Sequence, residues 1–99
     1  MLPKSDIYVY YQNGEIIGFL GLDNNYIAGI FVKKESRNKR IGRELLNEAK
    51  KEKNELTLSV YEKNDKAMKF YMRNDFVVKS KYTEKETEQV SYDLFWKNA

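Results

Sequence analysis

The stretch that decides the fold runs from residue 26 to residue 52, YIAGIFVKKESRNKRIGRELLNEAKKE. Residues 26–32 are almost entirely apolar, with β-branched and aromatic side chains, and read as a strand. A strand without polar alternation is expected to be covered on both faces. The window 33–43 that follows holds six basic residues, Lys33, Lys34, Arg37, Lys39, Arg40 and Arg43, against the single acid Glu35. From about residue 40 to residue 53 the period becomes helical. Ile41, Leu45, Leu46 and Ala49 fall on one face, and Glu44, Asn47, Glu48 and Lys51 on the other. A strand therefore hands over to a helix N-terminus through a cationic turn. Unpaired N–H groups and the positive end of the helix dipole converge there, which makes an anion site that arginine and lysine side chains strengthen. Gly42 would let the first helical turn approach an anion with no Cβ in the way.

Working toward the N-terminus, residues 15–22 (EIIGFLGL) and 6–12 (DIYVYYQ) read as two more strands. Asn13-Gly14 between them is a hairpin signal, because both residues tolerate positive φ, and residues 23–25 make a second turn. Tyr8, Tyr10, Tyr11 and Tyr26 are expected to pack on strands, where any of them could line a pocket. Toward the C-terminus, residues 55–61 (ELTLSVY) alternate as a strand. A helix over 65–73 follows, with Asn64 as its N-cap and Ala67, Phe70 and Tyr71 on one stripe. Asn74-Asp75 ends it, both residues being able to occupy the left-handed conformation at a helix C-terminus. Residues 76–82 and 89–96 are strands around a polar turn. The element order is βββαβαββ, an α/β fold on a mixed, mostly antiparallel sheet. The strand–helix–strand unit favours a right-handed crossover, so 55–61 is expected to run parallel to 26–32. Residues 1–99 are read as one domain.

Composition removes several function classes. With neither histidine nor cysteine among 99 residues, a His-based triad and a thiol nucleophile are excluded, and a zinc site is argued against. No metal is expected. No run of about 20 apolar residues is present, and the first ten residues lack the form of a signal peptide, so a soluble cytoplasmic protein is expected. The total charge of +3 is concentrated in the basic window, which suits a polyanion.

These features resemble the Gcn5-related N-acetyltransferase family. Its signature is Arg/Gln-x-x-Gly-x-Gly/Ala after a strand ending in an apolar-Val pair. Phe31-Val32, Arg37, Ile41 and Gly42 match it. Arg40 stands where the family prefers its first glycine, and a side chain there could crowd a pyrophosphate or supply an ion pair to it. A second segment, LSVYEKNDKAMKFY from Leu58 to Tyr71, is similar to the family's Leu-x-Val-x-x-x-Asn-x-x-Ala-x-x-Phe-Tyr, with Phe76 in the place of its Gly-Phe. Two motifs in the right order are more specific than either alone, and the resemblance runs from about Ile7 onward.

The resemblance implies an acyl-CoA N-acyltransferase-like fold and acetyl-CoA as cosubstrate. It implies pantetheine lying where strands 26–32 and 55–61 splay, bonded to the main chain around Ile30, Phe31 and Val32. The pyrophosphate would be held by Arg37, Asn38, Lys39, Arg40, Ile41, Gly42 and Arg43. Asn64 would touch the pantetheine arm, and Tyr71 would be the general acid that protonates the departing thiolate. The acceptor would be an amine. No general base is assigned; a water chain and the strand-end Glu62 both remain open.

Family members usually begin with a further strand and one or two helices, which this reading finds truncated. An exposed strand edge and an uncovered apolar face follow, and with them a homo-oligomer or a partner chain that supplies the cover. Two other functions stand beside the transferase. One is a non-catalytic acyl-CoA-binding protein. The other, a distant third, is a nucleic-acid binder using residues 33–43 on phosphates; that window has no aromatic residue for base stacking.

Overall fold

The computed structural model describes residues 5–37 and 40–98. The chain divides into two compact units, Met1–Asn54 and Glu55–Ala99. The first contains β1 (Ser5–Gln12), β2 (Glu15–Asp23), β3 (Tyr26–Val32), a short 3₁₀ turn (Lys34–Ser36) and α1 (Ile41–Glu52). The second contains β4 (Glu55–Tyr61), α2 (Asp65–Arg73), β5 (Val77–Thr83) and β6 (Val90–Lys97). The fold class is α/β, in the order βββαβαββ, with antiparallel pairing within each unit.

In the first unit β1, β2 and β3 form a meander. Asn13 and Gly14 turn its first hairpin at φ 53° and 76°, and Asn24 turns the second at φ 58°. Both hairpins place a left-handed residue where the chain must reverse tightly. Bulges interrupt the register between Tyr10 and Tyr11 and between Gly21 and Leu22. Helix α1 packs on the meander. Its buried residues Ile41, Leu45, Leu46 and Ala49 meet the strand face that buries Leu20 and Leu22. Each fully buried leucine contributes roughly 1.5–3 kcal/mol. Gly18 makes this contact possible: a Cβ there would stand 3.0 Å from the Phe31 carbonyl oxygen and 3.2 Å from Ile41 Cγ2. A surface ion pair of Lys53 with Asp6, 3.0 Å apart, ties the end of α1 to β1.

The meander's other face is bare, which corrects the expectation that β3 is covered on both sides. Val9, Phe19 and Phe31 lie in one row across the three strands, and they are 41%, 42% and 48% exposed. Ile7, Tyr11, Ile16 and Tyr26 are exposed as well. The reason is that α1 covers one face only, and apolar composition alone does not say how many faces are covered. β1 pairs with β2 and ends its sheet, as the expected free edge requires.

In the second unit the strand order is β4, β6, β5. Leu56, Leu58, Val60 and Leu94 are buried, and every residue of β5 is exposed. Asn64 caps α2 by accepting the Ala67 N–H at 3.2 Å. At the other end, Asn74 and Phe76 both donate their N–H to the Tyr71 carbonyl, at 3.0 and 3.1 Å. Of the expected left-handed pair, only Asp75 has positive φ, 73°; Asn74 is at −104°. Asn74 instead turns its side chain back to the Phe70 carbonyl at 2.7 Å, so one left-handed residue suffices to close the helix.

The glycines give a direct check on the seating of α1. Gly18→Ala is expected to destabilise the protein by about 1–3 kcal/mol through overpacking. Gly21→Ala, with nothing within 4 Å of its Cβ position, is expected to change stability by less than about 0.5 kcal/mol. Urea unfolding midpoints of the two variants check both.

Candidate functional site

β3 delivers the chain to the cationic turn. Its ladder is extended by the Lys33 N–H, which donates to the Ile17 carbonyl at 2.8 Å, and Lys33 forms an ion pair with Glu15. The 3₁₀ turn closes through Ser36 N–H to Lys33 O and Arg37 N–H to Lys34 O. Arg37 then folds back, its Nε donating to the Val32 carbonyl at 3.3 Å. That bond uses one of five guanidinium donors, so Arg37 is held at the strand end with most of its donor capacity left for a ligand.

Arg40 is the N-cap of α1. Its backbone is left-handed, φ 62° and ψ 17°, and its side chain makes no cap hydrogen bond. Its carbonyl accepts the Glu44 N–H at 3.0 Å. The geometry explains why glycine suits this place: the backbone needs positive φ, which costs a residue with a Cβ about 1–2 kcal/mol. Because Arg40 offers no side-chain cap, the first N–H groups of α1 face outward with the dipole's positive end. Arg40, Arg43, Glu44 and Asn47 line an open depression of about 210 Å³ at this helix start.

The remaining predicted residues divide by burial. Arg37, Arg40 and Arg43 are exposed, and Gly42, Ile30 and Val32 are half-buried. Phe31 is on the bare face. Ile41 is buried in the core, so its N–H is the part that can meet an anion. Asn38 and Lys39 lie outside the described residues. Asn64 is exposed and uses its side-chain oxygen as the helix cap, which leaves its amide NH₂ as the part that a ligand could use. Tyr71 is 5% exposed. Its ring stands edge-on to Phe70 and Phe76, with centroids 5.1 and 5.4 Å away. Burial pushes its pKa up from the ordinary 10.0 to about 12, so the phenol keeps its proton at neutral pH, as an acid must.

Two features go beyond the sequence reading, which left open only that Tyr8 or Tyr10 could line a pocket. Tyr8 and Tyr10, with Glu44, Leu45 and Glu48 among others, line a groove of about 700 Å³ between β1 and α1. The Tyr8 hydroxyl is buried there close to Glu52, and burial first, then the negative charge of Glu52, raises its pKa. The second feature is Asp93 in the middle of β6. Its Oδ1 accepts from Ser59 Oγ at 2.8 Å and its Oδ2 from Ser80 Oγ at 2.9 Å, so one carboxylate is held from both neighbouring strands. A lone acid inside VSYDLFW was the only signal. By contrast Glu62, left open as a base, is engaged: it accepts from the Tyr92 hydroxyl at 2.9 Å and pairs with Lys81 at 3.7 Å.

The comparisons with known proteins bear on this arrangement. The family model described as an acetyltransferase (GNAT) domain matches residues 3–78. The chain belongs to the GNAT acetyltransferase family. Among solved structures, it is similar to a Bacillus anthracis str. Ames protein assigned as a streptothricin acetyltransferase, solved in complex with acetyl coenzyme A. The TM-score is 0.89 at 25% identity, covering 99% of this chain and 65% of that one. The PaiA N-acetyltransferase of Thermoplasma acidophilum, solved in complex with coenzyme A, matches with a TM-score of 0.76 at 25% identity, covering 95% of this chain and 61% of that one. The chain thus spans slightly under two thirds of the length of these GNAT structures. A search of curated protein sequences found no match. Among the described residues, no helix is long and apolar enough to cross a membrane.

The left-handed cap and the buried phenol each have a measurable consequence. Arg40→Gly is expected to be more stable than Arg40→Ala by about 1 kcal/mol, because only glycine relieves the positive φ; urea unfolding of the pair reads this difference. Tyr71 has a folded pKa raised above its unfolded one. Its contribution is therefore fully present below pH 10 and lost as pH rises through about 12, amounting to roughly 2–3 kcal/mol at most. The stability difference between wild type and Tyr71→Phe, followed by denaturant unfolding across that alkaline window, should shrink correspondingly.

Proposed function

We propose that the protein moves an acetyl group from acetyl-CoA to an amine, and that it does so as a single cytoplasmic domain. The observation that carries this reading is the uncapped start of α1: a left-handed Arg40, outward N–H groups, and Arg37 and Arg43 beside them. That combination of backbone donors and guanidinium groups suits a diphosphate, which takes both charge and several hydrogen bonds. Ile30, Phe31 and Val32 on β3 would run beside the pantetheine and lend main-chain hydrogen bonds, and Asn64 would offer its NH₂ group.

In the reaction the amine nitrogen attacks the acetyl carbonyl carbon, the N–C bond forms, and the C–S bond breaks. A main-chain N–H of β3 would stabilise the oxyanion as it develops. The thiolate takes its proton from Tyr71, the amine releases one to solvent, and Tyr71 regains its proton from solvent. Family membership, the matching Tyr71 position and a phenol that is protonated at neutral pH support this assignment. The bare row Val9, Phe19 and Phe31 and the free edge of β1 support a homo-oligomer or a partner chain as cover. A second reading, acyl-CoA binding without turnover, draws on the burial of Tyr71, which leaves the residue 5% exposed.

Acetyl-CoA is expected to raise the melting temperature more than ADP does, because only a ligand of the native state stabilises it and the pantetheine adds contacts. In a steady-state assay of free thiol with a panel of amines, Tyr71→Phe should lower kcat by about 10²-fold or more. Equal shifts from the two ligands would overturn the coenzyme site. A shift without thiol release in wild type would select the binding-only reading.

A further inference from the structure

The carboxylate of Asp93 is held from both sides by hydroxyls of the two neighbouring strands. β6 is the central strand of its unit, and Asp93 lies opposite Ser59 on β4 and Ser80 on β5. Both serine hydroxyls donate to it, one to each oxygen. A carboxylate has about four lone-pair sites, so the two bonds fix its plane and leave it able to accept from a further donor. The hydroxyls are uncharged, so they orient the group without neutralising it.

The register also decides what surrounds it. Tyr61 and Tyr82 both pair with Ser91, two residues from Asp93 on one side, and Phe95 is two residues away on the other. Residues two apart on a strand share a face, so three aromatic rings flank one fixed carboxylate. Tyr61 and Tyr82 are 44% and 41% exposed. The Lys79 ammonium already stands over the Phe95 ring at 5.7 Å, a cation attracted to this face by the chain itself. An anion beside aromatic faces is the chemistry that recognises an ammonium group. Ser59 also lies on β4 only five residues before Asn64, so the carboxylate is on the strand pair that leads into the helix carrying Tyr71.

We propose that Asp93, held by Ser59 and Ser80, anchors the acceptor through an ammonium group that does not react, so that the preferred acceptors are amines carrying a second positive charge. This rests on the acetyltransferase reading and adds to it the acceptor class. The reacting nitrogen must be neutral to attack, so the anchored ammonium is the other one. Asp93 is on this account a specificity-determining residue, acting on acceptor binding and not on the bond-making step.

The test compares putrescine with n-butylamine, which share chain length and differ by one ammonium. Wild type is expected to favour putrescine in kcat/KM by roughly tenfold or more, the worth of one charge-assisted hydrogen bond. Asp93→Asn, which keeps the shape and can still bond both serines, should raise KM for putrescine by a similar factor. Its kcat, its activity on n-butylamine and its thermal shift with acetyl-CoA should stay as in wild type. The double variant Ser59→Ala with Ser80→Ala should raise the putrescine KM to a lesser degree, and it serves as the decisive variant if Asp93→Asn does not fold. A merely structural Asp93 would change both amines alike. Equal kcat/KM for the two amines in wild type, or an unchanged ratio in the variants, overturns the anchor while leaving the transferase intact. If wild type transfers to neither amine, the anchor is decided by binding alone and the transferase reading by the amine panel. Calorimetric binding of putrescine to wild type and Asp93→Asn then decides the anchor: loss of binding in the variant supports it, and equal binding or none overturns it.

Discussion

The place where α1 meets the meander constrains everything else at the cationic turn. Gly18 lies under the first two turns of the helix, and the space that a Cβ would need is filled by Ile41 Cγ2 and Leu45 Cδ1 at 3.2 and 3.4 Å. Protein interiors do not yield to an added methyl group, so the helix axis is set by backbone contact and not by adjustable side chains. The N-terminus of α1 is thereby fixed relative to the end of β3. Arg40 takes a left-handed backbone at the start of that helix. Strain at that residue and the positioning of its N–H donors are two aspects of one requirement.

The second unit handles its polar groups differently. Tyr71 is withdrawn from water between Phe70 and Phe76, and its carbonyl closes the helix C-terminus through two N–H groups. A phenol so placed is rigid and strongly biased to its neutral form, whether it serves the reaction or only the core. Asn64 likewise has a structural duty to its oxygen and a donor group to spare. The capping duty of Asn64 leaves its NH₂ group unused, so a structural duty and a binding role do not exclude each other.

Most of the architecture was legible from period and turn chemistry. Alternation in ELTLSVY, helical spacing in Ile41, Leu45, Leu46 and Ala49, and the Asn13-Gly14 pair each predict one element, and each element is present. What was not legible depends on partners distant in the chain or on a choice among equivalents. Nothing in the composition of β3 tells that α1 covers one face and leaves Phe31 half exposed. Either Asn74 or Asp75 could take the left-handed position, and the hydrogen bond of Asn74 to Phe70 decides between them. Arg40 gives no hint of positive φ, because arginine rarely adopts it; only the family's glycine at that place marks the requirement. Asp93 was silent because its two partners are 34 and 13 residues away in sequence. An isolated acid in a strand becomes informative only when the register brings hydroxyls to both its sides.

The contrast between Asp93 and Glu62 shows why the hydroxyls matter. Both carboxylates belong to the second unit, and each accepts from a neutral hydroxyl. Glu62, however, also has the Lys81 ammonium at 3.7 Å, and an opposite charge at that distance cancels most of the field that a ligand would feel. Serine partners impose orientation without cancellation. A chain that concentrates its positive charge in residues 33–43 and orients a carboxylate on β6 with neutral hydroxyls offers local fields of opposite sign. On the proposed reading, an anionic donor and a cationic acceptor are each attracted to one and repelled by the other, a sorting that needs no shape discrimination between them.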